Sequence, residues 1–134
     1  MKVTSFGEVL WDDFPSGKVL GGAPLNVLVR LQSFGVDTAI ISRRGDDADG
    51  EELLRQIQAK NVNTDLLQVC KECDTSLVKV ILDKCGSASY EIVYPCAWDR
   101  IVVEDAALQR VAESDAFVFG SLAARDEISR AALD

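Results

Sequence analysis

Apolar and polar positions along this chain alternate between the periodicity of strands and that of helices. β-branched and aromatic runs predict strands over 3–11, 38–42 and 116–119, and the continuous apolar run of the last predicts a fully buried strand. Apolar residues at helical spacing predict four helices, over 25–34, 51–60, 104–113 and 125–134.

Two alternating segments, 76–82 and 88–94, interrupt this order and predict a hairpin, because the loop between them is rich in turn-forming residues. A turn over 14–17 and a short strand over 18–20 are expected earlier in the chain. Strand–helix–strand order requires a parallel sheet. The pattern therefore predicts one α/β domain over 1–134 with a hairpin inserted.

Two adjacent glycines, Gly21 and Gly22, directly precede the first predicted helix. Glycine lets another molecule approach the backbone closely, and Pro24 fits the first turn of a helix, where its missing N–H has no partner. Free amides at a helix start favour oxygen-rich ligands, and the Asn26 amide can donate and accept hydrogen bonds. This stretch predicts a site for a small polar ligand. The alternative for Asn26 is membership of a solvated stripe with Arg30 and Ser33.

An acidic pair, Asp12 and Asp13, follows the first predicted strand. Open α/β sheets bind ligands at the carboxyl ends of their strands, so we interpret the pair as part of the same site. The alternative is that both aspartates only initiate the following turn.

A second acidic stretch, 46–49, lies between Gly45 and Gly50 and precedes a predicted helix. It lacks the full ligand spacing of a calcium loop, so we expect one of its aspartates to cap the helix.

Composition removes several classes of function. The formal net charge of −8 argues against nucleic acid as a partner. No apolar run approaches the roughly 20 residues that span a bilayer, so no membrane association is expected. The N-terminal residues do not have the pattern of a signal peptide, and we expect a cytoplasmic protein.

Cys70 and Cys73 form a CxxC motif, whereas Cys85 and Cys96 stand alone. A closed zinc site would need two further ligands, and the chain has no histidine. We interpret the four as reduced thiols and keep a metal site or a redox pair as alternatives.

Several motifs in order along the chain resemble the ribokinase/PfkB family of sugar kinases, and most closely its fructokinase-like members. The matching segments are 7–12 (GEVLWD), 21–26 (GGAPLN), 34–35 (FG), 45–50 (GDDADG), 95–99 (PCAWD) and 120–123 (GSLA). The resemblance is collinear over nearly the whole chain and is more specific than any single glycine motif.

The resemblance implies a ribokinase-like three-layer α/β/α fold with a parallel central sheet and a small β lid, with lid strands around 14–20 and 76–94. The family transfers the γ-phosphate of ATP to a sugar hydroxyl with magnesium. Matched by position, Asp12 would accept hydrogen bonds from sugar hydroxyls, Gly21 and Gly22 would let backbone and sugar meet, and Asn26 would bond a hydroxyl. Tyr90 would face the sugar from the lid, with a plain packing role as the alternative. In some relatives the lid also forms a homodimer.

Two departures from the family pattern stand out. Leu28 occupies a position where the family motif has a small residue, which would alter helix packing beside the site. The second family signature, Asp-Thr-x-Gly-Ala-Gly-Asp, is absent, and with it the catalytic aspartate, the anion hole and the ATP pocket.

We therefore expect the N-terminal, sugar-binding part of a fructokinase-like kinase, truncated at its C-terminus. It would contain no catalytic, cofactor-binding or metal-binding residue, would bind neither ATP nor Mg²⁺ and would be inactive alone. The alternatives are a non-catalytic sugar-binding or lid-mediated interaction module and a CxxC redox or metal protein.

Overall fold

A computed structural model describes all residues, 1–134. Its strands are β1 Lys2–Phe6, β2 Leu10–Phe14, β3 Gly17–Gly21, β4 Asp37–Gly45, β5 Leu67–Cys70, β6 Leu77–Leu82, β7 Ala88–Ile92 and β8 Ala116–Phe119. Its α-helices are α1 Ala23–Gln32, α2 Ala48–Ala59, α3 Asp105–Ala112 and α4 Glu127–Leu133, and short 3₁₀ helices span Ala97–Arg100 and Leu122–Ala124. None of the helices has the length and apolar character needed to cross a bilayer.

The central sheet is parallel throughout, with strand order β5-β4-β1-β8. Successive side chains of a strand point to opposite faces, and the two cores follow this alternation. Ile40 packs with α1 and α2 in one core, and its neighbour Ile41 packs with α3 in the other. The result is three layers, α/β/α, which confirms the predicted fold class.

A second sheet of four strands, in the order β3-β2-β6-β7, stands beside the central one. Its strand pairs β2–β3 and β6–β7 are antiparallel hairpins, and β2 and β6 join them in parallel. The strands lie within or close to the segments where lid strands are expected.

The first predicted strand, 3–11, is wrong as a single element. The chain forms β1, breaks at Gly7 and begins β2 at Leu10, so the two strands enter different sheets. Gly7 has φ +151°, and a Cβ there would lie 2.6 Å from Cγ of Pro24. A close helix–strand approach that only glycine permits therefore splits the apolar run.

Two further expectations about strands are corrected. β8 is half-exposed rather than buried, with Phe119 59% exposed, because it is an edge strand of the central sheet. β5 was not predicted, because its four residues are ordered by parallel pairing with β4 rather than by a clear alternation of their own.

Asp47 caps α2, as the acidic loop predicted: its Oδ1 accepts the Gly50 N–H at 2.7 Å. The same carboxylate accepts the N–H of Thr75 at 2.9 Å and the Thr75 hydroxyl at 2.6 Å. Thr75 lies just before β6. One aspartate therefore joins the start of α2 to the base of the second sheet.

A second set of contacts joins the end of β7 to the α/β body, that is, to the central sheet and the helices that pack on it. Arg125 donates two hydrogen bonds of 2.8 Å to the buried carboxylate of Asp99, and a third to the Val93 carbonyl. Its guanidinium lies 4.3 Å from the ring centre of Trp98 and 5.0 Å from that of Tyr94. The second sheet is thus joined to the α/β body in two places, just before β6 and just after β7.

Candidate functional site

All of the residues predicted to bind a ligand except Tyr90 lie where β1, β2, β3 and α1 converge. β3 ends at Gly21, Gly22 precedes α1, and the β1–β2 connection lies against both. The junction stands at the carboxyl end of β1, where open α/β sheets bind their ligands.

Asp12 does not close a strand, as the sequence suggested, but lies inside β2. It is opposite Val19 of β3 and Val78 of β6. A Cβ on Gly21 would come within 2.5 Å of Oδ2 of Asp12, so the glycine leaves room for this carboxylate. Burial raises the pKa of Asp12. A half-buried acceptor without a charged partner suits hydroxyl donors.

Asp13 is directed to the opposite face of the same strand. Its register partner is Lys18, whose ammonium pairs with Asp49 at 3.0 Å. The two adjacent aspartates therefore face different surroundings, and only Asp12 faces the glycine side of the junction.

Gly22 is required by its conformation and by its surroundings. Its φ is +116°, and a Cβ would collide with the carbonyl oxygen of Glu8. It precedes α1 without a side-chain cap. Bare backbone therefore lies at the helix start.

Asn26 lies in the first turn of α1 and is exposed. Its N–H donates to the Gly22 carbonyl at 2.9 Å, and its side-chain amide makes no hydrogen bond to the rest of the chain. This exposure fits both a free ligand-binding amide and a solvated helix face. Leu28, the departure from the family pattern, is fully buried in the core on the other side of the helix.

Glu8 belongs to this junction and was missed by the sequence reasoning. It is only 4% exposed, its backbone carbonyl lies against Gly22 before α1, and its side-chain Oε2 has no partner. Burial raises its pKa, and two backbone hydrogen bonds partly offset that rise. The available signal was a lone carboxylate inside the apolar stretch from Phe6 to Trp11.

Tyr90 lies in β7 and is 60% exposed. It pairs with Val80, two positions along β6 from Val78, which pairs with Asp12. Paired residues and residues two apart share a face of a sheet, so Tyr90 and Asp12 lie on the same face of the second sheet. No hydrogen bond joins Tyr90 to the other predicted site residues.

Two hollows of different character lie away from this junction. An apolar one of about 350 Å³ is lined by residues of α3, α4 and the central sheet. A polar one of about 530 Å³ lies between the start of α2 and the base of the second sheet. Neither is lined by Asp12, Gly21, Gly22, Asn26 or Tyr90, so neither hollow belongs to the predicted site.

No group of three or more His, Cys, Asp or Glu side chains is arranged to hold an ion. The residues present therefore do not fit a magnesium site of their own.

Comparison with known proteins places these observations in a family. The profile of the pfkB family carbohydrate kinases matches residues 7–131. Fructokinase-2 of Zea mays is 30% identical over 143 residues, covering 97% of this chain and 43% of that protein.

Two solved structures have the same fold over nearly the whole chain. An uncharacterized sugar kinase, PH1459 from Pyrococcus horikoshii, gives a TM-score of 0.87 at 27% identity, covering 98% of this chain and 48% of that one. Fructokinase from Halothermothrix orenii gives 0.84 at 26% identity, covering 98% and 50%. The chain spans less than half the length of the curated relatives it matches first.

Proposed function

This chain belongs to the pfkB family of carbohydrate kinases, and from that premise we propose that it is the N-terminal, sugar-binding part of an ATP-dependent kinase that phosphorylates a sugar hydroxyl. The observation that carries the proposal is the meeting of Asp12, Gly21 and the uncapped start of α1 at one junction. Fructokinases among the relatives make a fructose-like sugar the first substrate to test.

The proposed contacts follow from the chemistry of these side chains. The Asp12 carboxylate accepts hydrogen bonds from sugar hydroxyls, and the Asn26 amide accepts from one hydroxyl or donates to it. Gly21 and Gly22 let a sugar ring approach the backbone without meeting a Cβ. Tyr90, on the Asp12 face of the second sheet, covers an apolar face of the sugar, and the second sheet acts as the lid.

ATP and Mg²⁺ serve the complete enzyme in this proposal. A relative, PH1459, has been solved in complex with ATP. Residues 1–134 contain no Asp-Thr-x-Gly-Ala-Gly-Asp segment and no cluster suited to a metal. Since phosphoryl transfer needs positioned phosphates and a base, the chain by itself orients the sugar and does not catalyse the transfer.

A second candidate, a non-catalytic sugar-binding or lid-mediated interaction module, is favoured by the apolar surface of the second sheet. Its exposed apolar residues include Val19, Leu82 and Tyr90 on the Asp12 face and Ile81 on the other face. Such a surface supports a homodimer through the lid. Sedimentation equilibrium tests this homodimer. The wild-type chain should dimerise and Ile81→Glu should be monomeric. A monomeric wild-type chain would contradict the homodimer.

The four free cysteines favour a reducing compartment, and we place the protein in the cytoplasm. Localisation of a C-terminally tagged protein by fractionation tests this assignment.

Isothermal titration with D-fructose and D-ribose, together with an ADP assay, tests the main proposal. Wild type should bind one sugar without forming ADP, and Asp12→Ala should weaken binding about tenfold or more, because a charge-assisted hydrogen bond is lost. Asp13→Ala is the matched control, since it removes the same group from the other face of β2.

Each outcome is decisive for one of the candidates. If Asp12→Ala and Asp13→Ala lose sugar affinity equally, or if the wild-type chain binds no sugar, a sugar site at Asp12 in this chain is excluded. Sugar binding that persists without ADP formation even when an ATP-binding C-terminal half is supplied favours the non-catalytic module.

A further inference from the structure

The CxxC motif has no part in the proposed sugar site, yet its two cysteines lie in one short, closed loop. Cys70 is the last residue of β5 and is buried, while Cys73 is partly exposed. The two cysteines are three residues apart in one bend, and both are free. No third or fourth ligand completes a metal site around them.

The loop that carries the pair is fixed at both ends. The Asp46 N–H donates to the Cys70 carbonyl at 3.0 Å, and the Thr75 N–H donates to Asp47 at 2.9 Å. Between these points the Asp74 carbonyl accepts the N–H of Ala97 at 2.9 Å. Because Cys70 and Thr75 bind to the adjacent residues Asp46 and Asp47, the chain between them turns back on itself and keeps the two cysteines close together.

The other two cysteines lack such an arrangement. Cys96 is buried, and burial together with the charge of Asp99 raises its pKa to about 12. Cys85 is exposed in the loop between β6 and β7, where no other cysteine lies close in sequence.

We propose that Cys70 and Cys73 form a reversible intrachain disulfide, with a low-molecular-weight disulfide such as glutathione disulfide as the oxidant. The more exposed Cys73 attacks as thiolate and forms a mixed disulfide, releasing one glutathione thiolate. Cys70 then attacks the Cys73 sulfur, closes the intrachain bond and releases the second glutathione thiolate. The two protons lost by the cysteines go to the two glutathiones, so two protein thiols are oxidised and one glutathione disulfide is reduced.

The surroundings of the pair affect how fast this happens. Burial and the neighbouring Cys70 raise the pKa of Cys73, Arg100 partly opposes them, and Cys70 donates to Glu72. Since the thiolate is the attacking species, closure should be slow at neutral pH and faster as pH rises. The pair precedes Thr75 and β6, so the bond would form at the base of the second sheet.

The test uses the reduced chain and does not depend on sugar binding. After incubation with glutathione disulfide at alkaline pH, free thiols are alkylated and the chain is analysed by intact mass and peptide mapping. We expect the loss of two hydrogens, two alkylated thiols instead of four, a crosslink between residues 70 and 73, and reversal by dithiothreitol. Cys85→Ser should close the same bond at the wild-type rate.

Three results would overturn the proposal. One is four alkylated thiols after prolonged oxidation. Another is a stable glutathione adduct on Cys73 that never closes. The third is a crosslink that involves Cys85 or Cys96. Because wild type is mapped directly, the result does not rely on any cysteine variant folding.

Discussion

Strand β4 of the central sheet buries seven of its nine residues, whereas β7 of the second sheet buries none of its five. The central sheet is covered on both faces, by α1 and α2 on one side and by α3 and α4 on the other. The second sheet has no helix of its own, and apolar residues such as Leu82 and Tyr90 remain exposed on it. Apolar strand residues therefore stabilise the central sheet by burial, whereas in the second sheet some of them stay exposed and can contact a ligand or another chain.

The predicted site lies at the boundary between these two regions. Gly22 and Asn26 belong to the α/β body, and Asp12 and Tyr90 belong to the second sheet. A ligand bound there would contact the well-packed α/β body on one side and the more exposed second sheet on the other. This arrangement suits closure over a substrate.

The largest expected effect is a difference in unfolding free energy between the same substitution made in each of the two regions. Leu53→Ala in α2 should lower the free energy of unfolding by about 3 kcal/mol, because a fully buried leucine leaves a cavity in the core. Leu82→Ala in the second sheet should change it by less than about 0.5 kcal/mol, since Leu82 is 53% exposed. Urea denaturation measures both values, and similar costs would contradict the contrast.

A smaller effect on stability is expected where Asp47, at the start of α2, binds Thr75 at the base of the second sheet. Asp47→Ala should cost about 2 kcal/mol, because it removes the α2 cap and two hydrogen bonds to Thr75. Hydrogen exchange should also increase in β6. Asp49→Ala is the control: it removes an exposed ion pair with Lys18 and one charge from the first turn of α2, and it should cost under about 1 kcal/mol.

The Asp47 effect should depend on pH. Burial alone would raise the pKa of Asp47, but hydrogen bonds from Thr75 and Gly50 outweigh it and leave the pKa below its ordinary value of 3.8. Its contribution is therefore present above that value and lost as pH falls through the lowered pKa. A difference between wild type and Asp47→Ala that grows in acid would contradict this.

The smallest predicted effect concerns Glu8 on the body side of the junction. Glu8→Gln should stabilise the chain at pH 7 by on the order of 1 kcal/mol, because a buried carboxylate oxygen without a partner becomes part of a neutral amide. The raised pKa of Glu8 means that its contribution is complete at low pH and decreases as pH rises through that pKa.

The advantage of Glu8→Gln should therefore disappear in acid. Thermal unfolding at pH 4 and pH 7 measures it, with the exposed Glu91→Gln as control. An equal advantage at the two pH values, or the same gain in Glu91→Gln, would show that the partnerless oxygen is not the cause.

Much of the body could be predicted from sequence because its signals are local. The helical spacing of 25–34 and 51–60 and the aspartate before α2 gave α1, α2 and the Asp47 cap nearly in place. What failed depends on distant contacts. The break at Gly7 is set by the approach of Pro24, and the exposure of β8 is set by its place at the sheet edge.

The residues at the start of α1 could be predicted from the sequence, but their arrangement with Asp12 could not. Adjacent glycines, a proline and an amide marked the start of α1, but nothing local distinguishes Asp12 from Asp13. Their separation follows from pairing with β3 and β6, and the shared face of Asp12 and Tyr90 follows from the register across three strands. Glu8 was missed because the residues that surround it, Gly22 and Gly120, are far from it along the chain.

The central claim is that a sugar binds at the boundary between the body and the second sheet. An NMR titration of the ¹⁵N-labelled chain with D-fructose tests it most directly. We predict saturable shifts of the amides of Asp12, Gly21, Gly22 and Asn26, with none at Ala107 or Ala132, which line the apolar hollow. Shifts confined to that hollow, or no saturable shift at the four junction residues, would contradict it.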